Sequence, residues 1–160
     1  MQFTNIDALV AHISNDLNSY LSKGNSELQI EISFLMKDAV EEVVYDAYTP
    51  SLYERRGDNG GLADPENLEL VKIEKVSHKV SKLVFENITK GYSAYFSGDK
   101  LLDSTAETII NGIESNWSYS GEWQEPRDFV SRLKEMINER KDLINNAIKK
   151  DLKNLGYKVR

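Results

Sequence analysis

Three carboxylates, Glu41, Glu42 and Asp46, offer the chemistry that is easiest to name. Glu42 and Asp46 stand four residues apart in a helical pattern, so they share a face. Paired carboxylates hold a divalent metal or divide the acid and base duties of hydrolysis. A metal-dependent nuclease built on Glu42 and Asp46 would usually need a second acidic cluster, and no cluster with suitable spacing occurs. The two histidines do not supply one. His12 falls between helix positions and His78 in a hairpin turn, and no spacing links either to a serine or carboxylate partner. The chain has no cysteine, which excludes disulfides, thiolate metal sites and a cysteine nucleophile. Gly57-Asp58-Asn59-Gly60-Gly61 superficially resembles a phosphate loop. Leu62-Ala63-Asp64-Pro65 follows it instead of Lys-Ser or Lys-Thr at a helix start, so a turn is the better reading. Asp58, Asn59 and Asp64 have the wrong spacing, and lack the closing Glu, for a calcium loop. These residues point to no catalytic, cofactor-binding or metal-binding site.

The remaining chemistry is recognition. The stretch from Tyr45 to Asn67 holds three of the eight tyrosines, two of the three prolines, three of the nine glycines and the pair Arg55-Arg56. A loop of this length, 48–67, is uncommon in a compact domain unless it has work to do. Tyr48, Leu52, Tyr53 and Leu62 are too apolar for a linker, so the loop should pack down through them. Arg55 and Arg56 can lock the loop onto helix acids such as Glu42 or Asp46. Equally, they can anchor a protein–protein contact, where Tyr and Arg are over-represented. Residues 116–125 pose the same choice with Trp117, Tyr119 and Trp123. Three aromatics in a short Gly-containing loop exceed what a core cap needs, which favours a contact surface.

The elements that must carry these loops follow from periodicity. Ile6, Leu9, Val10, Ile13, Leu17 and Leu21 predict a helix over 5–22, with Thr4 and Asp7 as a capping box and Gly24 at its end. Ser26-x-x-Gln29 opens a second helix over 26–47, which Pro50 ends. Ile30 and Phe34 sit off its apolar stripe, so this helix is either central or shared with a neighbouring subunit. Alternation predicts strands over 68–76 and 80–88, joined as a hairpin. A third helix is expected over 101–115, with Ser104-x-x-Glu107 as its cap. A fourth should run over 127–155 after Pro126, and Tyr157-Lys158-Val159 should form a short terminal strand. The fold class is therefore α+β and helix-rich: two N-terminal helices, a small antiparallel hairpin, a short third helix and a long C-terminal helix. With 160 residues and no visible boundary, a single domain over 1–160 is expected.

Charge is unevenly spread within a formal total of −6. Residues 1–50 carry two lysines against eight acids, a net −6, whereas residues 141–160 carry six basic side chains against two acids, a net +4. Such poles suit head-to-tail contact between copies, and solvated helix faces account for them as well. The total argues against general nucleic-acid or anionic-membrane binding. No signal peptide is visible in MQFTNIDALV, and no apolar run approaches the roughly 20 residues of a membrane span.

One combination of residues is more specific. Val44-Tyr45-x-x-Tyr48-x-Pro50-x-x-Tyr53-x-Arg55-Arg56 is followed by Gly60-Gly61-Leu62-x-Asp64. Later come Ile109-Ile110-x-Gly112, Pro126-Arg127-x-Phe129 and Leu152-x-x-x-Gly156-Tyr157-x-Val159. Over about 28–160 this pattern resembles a group of minor structural proteins from tailed phages and prophages of Gram-positive bacteria. These are minor capsid or tail components described as head–tail joining or tail-completion proteins. Asp128 stands where members often carry a second proline. The resemblance implies a helix–sheet–helix fold and assembly as rings in the neck, without catalytic residues or cofactors. The expected function is therefore a non-enzymatic virion protein at the head–tail junction, found in the host cytoplasm before assembly. Its partners would be further copies of itself and other neck or tail proteins, and its contacts would be made by Tyr48, Tyr53, Arg55, Arg56, Leu62, Trp117, Tyr119 and Trp123. The alternative is a phage- or prophage-encoded acidic inhibitor that binds a host or defence protein through its N-terminal half.

Overall fold

The apolar stripes become helices in the computed structural model, which describes residues 5–47, 57, 59–92, 101–102, 105–112 and 125–159. The architecture is the expected α+β fold. In order, the elements are α1 (Ile6–Leu21), α2 (Glu27–Val40) continued by a π-helical turn (Glu41–Tyr45), and a 3-10 turn (Pro65–Asn67). Then follow β1 (Leu68–Lys75), β2 (Ser81–Asn87), β3 (Gly91–Tyr92), β4 (Leu101–Leu102), α3 (Thr105–Asn111), α4 (Phe129–Glu139) and α5 (Lys141–Asn154). The chain divides into two compact units. One comprises Met1–Ile32, Leu70–Glu86 and Arg140–Arg160, and the other Ser33–Glu69 and Asn87–Glu139.

The first unit joins the two ends of the chain. Asn5, not Thr4, caps α1: its Oδ1 accepts from the Ala8 amide at 2.8 Å. Thr4 lies outside the described residues. Gly24 and Asn25 end the helix with φ of 79° and 59°, the left-handed conformation that Gly and Asn tolerate best. The capping box of α2 forms as expected. Ser26 Oγ accepts from the Gln29 amide and Gln29 Oε1 accepts from the Ser26 amide, both at 3.1 Å. A second cap comes from α5, whose fully buried Asp151 accepts from the amides of Glu27 (2.8 Å) and Leu28 (3.1 Å). Lys150 pairs with Glu27 at 3.1 Å beside it. The β1–β2 hairpin is antiparallel and closes through Val76 and Val80. It meets α1 through Asn18–Ser81 (2.8 Å) and Lys79–Asp7 (2.8 Å).

The second unit holds the main apolar cluster: Met36, Val40, Val44, Leu62, Ala63, Ala106 and Phe129 are buried together. Its lining includes Val43, Tyr45, Ile109, Ile110, Val130 and Leu133, the inward positions of the helical stripes. Two boundaries differ from expectation. Helix α3 starts at Thr105, because Leu101 and Leu102 are taken up by β4, which pairs antiparallel with β3 as Gly91 with Leu102 and Tyr92 with Leu101. The helix stops at Asn111, because Gly112 turns left-handed with φ of 72°. Likewise α4 starts at Phe129, since Asp128 Oδ1 accepts from the Ser131 amide at 2.9 Å and so takes the N-cap position.

The expected C-terminal helix is present but breaks at Arg140, whose φ and ψ are −105° and 38°. The apolar stripe pauses between Ile137 and Ile144, so no inward anchor holds straight helix there. Gly156 (φ 90°) ends α5 in a Schellman motif: the Gly156 amide donates to Lys153 O and the Tyr157 amide to Leu152 O, both at 2.9 Å. The strand expected over Tyr157–Val159 does not form, because Tyr157 docks on α1 instead, its hydroxyl donating to Asp16 Oδ2 at 2.7 Å.

Candidate functional site

Among the eight residues expected at protein contacts, Leu62 lies within the described residues. Tyr48, Tyr53, Arg55, Arg56, Trp117, Tyr119 and Trp123, like Leu52, lie outside them. Leu62 is 4% exposed and sits in the apolar cluster, so the loop does pack down at this position. Its side chain is spent on the chain's own core and leaves little surface for a partner.

The turn around Leu62 is built from short polar side chains that satisfy a buried backbone. Asn67 Nδ2 (2.8 Å) and Thr89 Oγ1 (3.2 Å) both donate to the Gly61 carbonyl. Asn87 Nδ2 donates to the Leu62 carbonyl at 3.0 Å, and the Ala63 amide donates to the Tyr45 hydroxyl at 3.3 Å. Gly61 has no room for a side chain, since a Cβ there would lie 2.8 Å from the Gly57 nitrogen and closer still to its carbonyl oxygen. Asp64, 8% exposed, bridges the turn: one oxygen accepts from the Gly60 amide at 2.6 Å and the other from the Glu66 amide at 2.9 Å. The glycine-rich backbone therefore already holds an anion, the carboxylate of Asp64. A phosphate would compete with that carboxylate, and a calcium ion would have to take it from two amides.

Two of the three helix carboxylates, Glu41 and Glu42, are engaged too. Glu42 accepts from Arg132 Nε at 2.9 Å, and Arg132 Nη1 also reaches Glu135 and Glu139, each at 3.3 Å. The hydrogen bond to Glu42 above all holds the Arg132 guanidinium above its ordinary value. Glu41 lies 3.8 Å from Lys37. Glu41 and Asp46 are joined by the i to i+5 bond of the π-helical turn, the Asp46 amide donating to Glu41 O at 2.9 Å. Among the described residues no group of three or more His, Asp or Glu converges as metal ligands. Both histidines stand beside carboxylates: His12 Nε2 is 3.4 Å from Asp16, and His78 Nε2 is 3.9 Å from Asp7. The first pair corrects the sequence reading that no spacing links His12 to a carboxylate, since Asp16 stands at i+4 on the same helix face. The second depends on the hairpin reaching α1. Asp16 also raises the Tyr157 phenol, because the hydrogen bond is made with the protonated hydroxyl.

One apolar surface among the described residues is the outward side of α2. Ile30 and Phe34, one turn apart on this continuous helix, are 44% and 54% exposed. The buried side of α2 is Leu28, Ile32, Leu35, Met36, Ala39 and Val40. The two apolar sides read from the sequence are real, and the second is open to solvent.

A helix-rich α+β protein with a plugged glycine turn and an open apolar helix face thus emerges. The YomN family model matches residues 5–154, and the chain belongs to that family. The family is of the Bacillus phage and prophage type, which supports a phage-derived protein. No curated protein and no solved structure matches the chain. Among the described residues, no helix is long and apolar enough to cross a membrane.

Proposed function

We propose that this chain is a non-enzymatic virion structural protein at the head–tail junction or in tail completion, acting by ring-type self-assembly and by contact with other neck or tail proteins. The observation that carries the reading is the phage-type family match over 5–154. The open apolar pair on α2 is in keeping with it, since a subunit of a ring presents different surfaces to its two neighbours. Tyr48, Tyr53, Arg55, Arg56, Trp117, Tyr119 and Trp123 are the proposed joint-forming side chains, on their composition and spacing. The protein would reside in the virion, and in the host cytoplasm before assembly. Sedimentation across protein concentration, with mass spectrometry of purified virions, tests the reading. A strict monomer that is also absent from virions overturns it.

The acidic-inhibitor reading stands second. Of the eight acids in residues 1–50, Asp7, Glu27, Glu41 and Glu42 are ion-paired with lysine or arginine within the chain and Asp16 accepts from the Tyr157 hydroxyl, which leaves fewer charges to imitate a phosphate backbone. It expects that reversing Glu41, Glu42 and Asp46 abolishes capture of a host protein.

A further inference from the structure

We infer that Asn59-Gly60 is a latent modification site, at which Asn59 passes through a cyclic imide to aspartate or isoaspartate, and that Asp64 keeps it dormant in the folded turn. The inference stands apart from the assembly reading, since it concerns covalent chemistry within one chain.

The chemistry follows from the residue pair. The Gly60 backbone nitrogen attacks Asn59 Cγ, so that an N–Cγ bond forms and the Cγ–Nδ2 bond breaks. The backbone amide proton passes to the departing nitrogen, which leaves as ammonia. Water then opens the imide at either carbonyl. One opening gives aspartate, and the other gives isoaspartate, with the main chain rerouted through the side chain. A glycine in second place favours the attack, because it has no Cβ to obstruct the approach and its backbone turns freely. The chain holds two such pairs, Asn59-Gly60 and Asn111-Gly112, and both asparagines are exposed.

What separates the two pairs is the attacking nitrogen. The Gly60 amide donates to Asp64 Oδ2 at 2.6 Å, whereas among the described residues no carboxylate accepts from the Gly112 amide. A short bond to a carboxylate stabilises the protonated amide, and a carboxylate is far too weak a base to remove that proton. Asp64 is itself fixed, by the Glu66 amide on its other oxygen at 2.9 Å and by its own amide, which donates to Gly61 O at 3.1 Å. The backbone has no room to swing either. A Cβ on Gly61 would lie 2.8 Å from the Gly57 nitrogen, so the chain closes on itself across the pair. Attack needs the reacting atoms aligned and about 3–3.5 Å apart. The Gly60 nitrogen must therefore leave Asp64 before it can react. The same closure gives the product its consequence: isoaspartate adds a methylene to the main chain of a turn without slack, and a converted chain would lose the plug.

Incubation of the full chain at mildly alkaline pH, followed by peptide mass spectrometry, tests this. Conversion is read as the replacement of a side-chain NH2 by OH. In the folded wild-type chain, Asn59 should convert several-fold more slowly than in urea. Asp64→Ala should speed conversion at Asn59 several-fold in native buffer and leave Asn111 unchanged, with Asp64→Asn, which keeps a neutral acceptor, between the two. Equal rates for folded and urea-treated wild type overturn the guarding role. Slower conversion in Asp64→Ala overturns it too, because the carboxylate would then be assisting the attack. No conversion in urea removes the site altogether. If Asn59 and Asn111 both accelerate in Asp64→Ala, that variant has unfolded, and hydrogen exchange at the Gly60 amide of the wild-type chain decides instead. Protected exchange there supports the hold of Asp64, and free exchange overturns it.

Discussion

Asp151 shows how much one side chain can settle. It is a carboxylate on the apolar stripe of α5, yet it is fully buried, because it faces two amides that begin another helix. Asp151→Ala would leave both donors buried without an acceptor and should cost about 3 kcal/mol in urea unfolding. Asp151→Asn keeps an acceptor oxygen and should cost less. Asp128 works at the start of its own helix. Its hydrogen bonds from the Ser131 hydroxyl and amide hold its carboxyl below the ordinary value of 3.8. A depressed carboxyl stabilises the fold above that value and ceases to as the pH falls through the folded pKa. Asp128→Ala should therefore lower stability by about 1 kcal/mol at neutral pH. In thermal melts the gap to the wild-type chain should close as the pH drops below the ordinary carboxyl range. Neither acid's capping role was legible in the sequence. Asp128 hid behind Pro126, which suggested an earlier start, and the partners of Asp151 are more than 120 residues away.

At the level of elements, periodicity located α1, α2, the hairpin and the C-terminal helix, because each has one apolar side that must be buried. What it could not locate were features set by the backbone or by distant contacts. The π-helical turn after Val40 follows apolar positions that suit a straight helix equally well. The break at Arg140 shows only as a pause in the stripe, and the two-residue ladder of β3 and β4 is too short for alternation to register. The glycine turn was legible as a turn but not as a plug, since Asn67, Asn87 and Thr89 reveal their role only when the carbonyls of Gly61 and Leu62 lie beneath them. That role predicts an order of effects. Leu62→Ala should cost about 2–5 kcal/mol by opening a cavity. Gly61→Ala should also destabilise, because its Cβ meets backbone that cannot swing aside. Denaturant titrations of both, against the exposed Lys158→Ala as a control, measure this directly.

For the molecule as a whole, the charge poles are partly spent at home. Lys150 meets Glu27 and Arg132 meets Glu42, each within one unit, at 3.1 and 2.9 Å. On the self-assembly reading, association should weaken as salt rises from about 0.05 to 0.5 M, since screening weakens attraction between the charges that are not paired within the chain. Sedimentation at the two ionic strengths reads this out. The cap on α2 has one more consequence, and it concerns timing. During synthesis, the segment holding Glu27 leaves the ribosome more than a hundred residues before Asp151 is made. For all that interval the second helix lacks its outside acceptor, and the first unit lacks its third segment. Fragments of an interrupted translation would thus never complete the first unit. Helix α5 is in effect the seal of that unit.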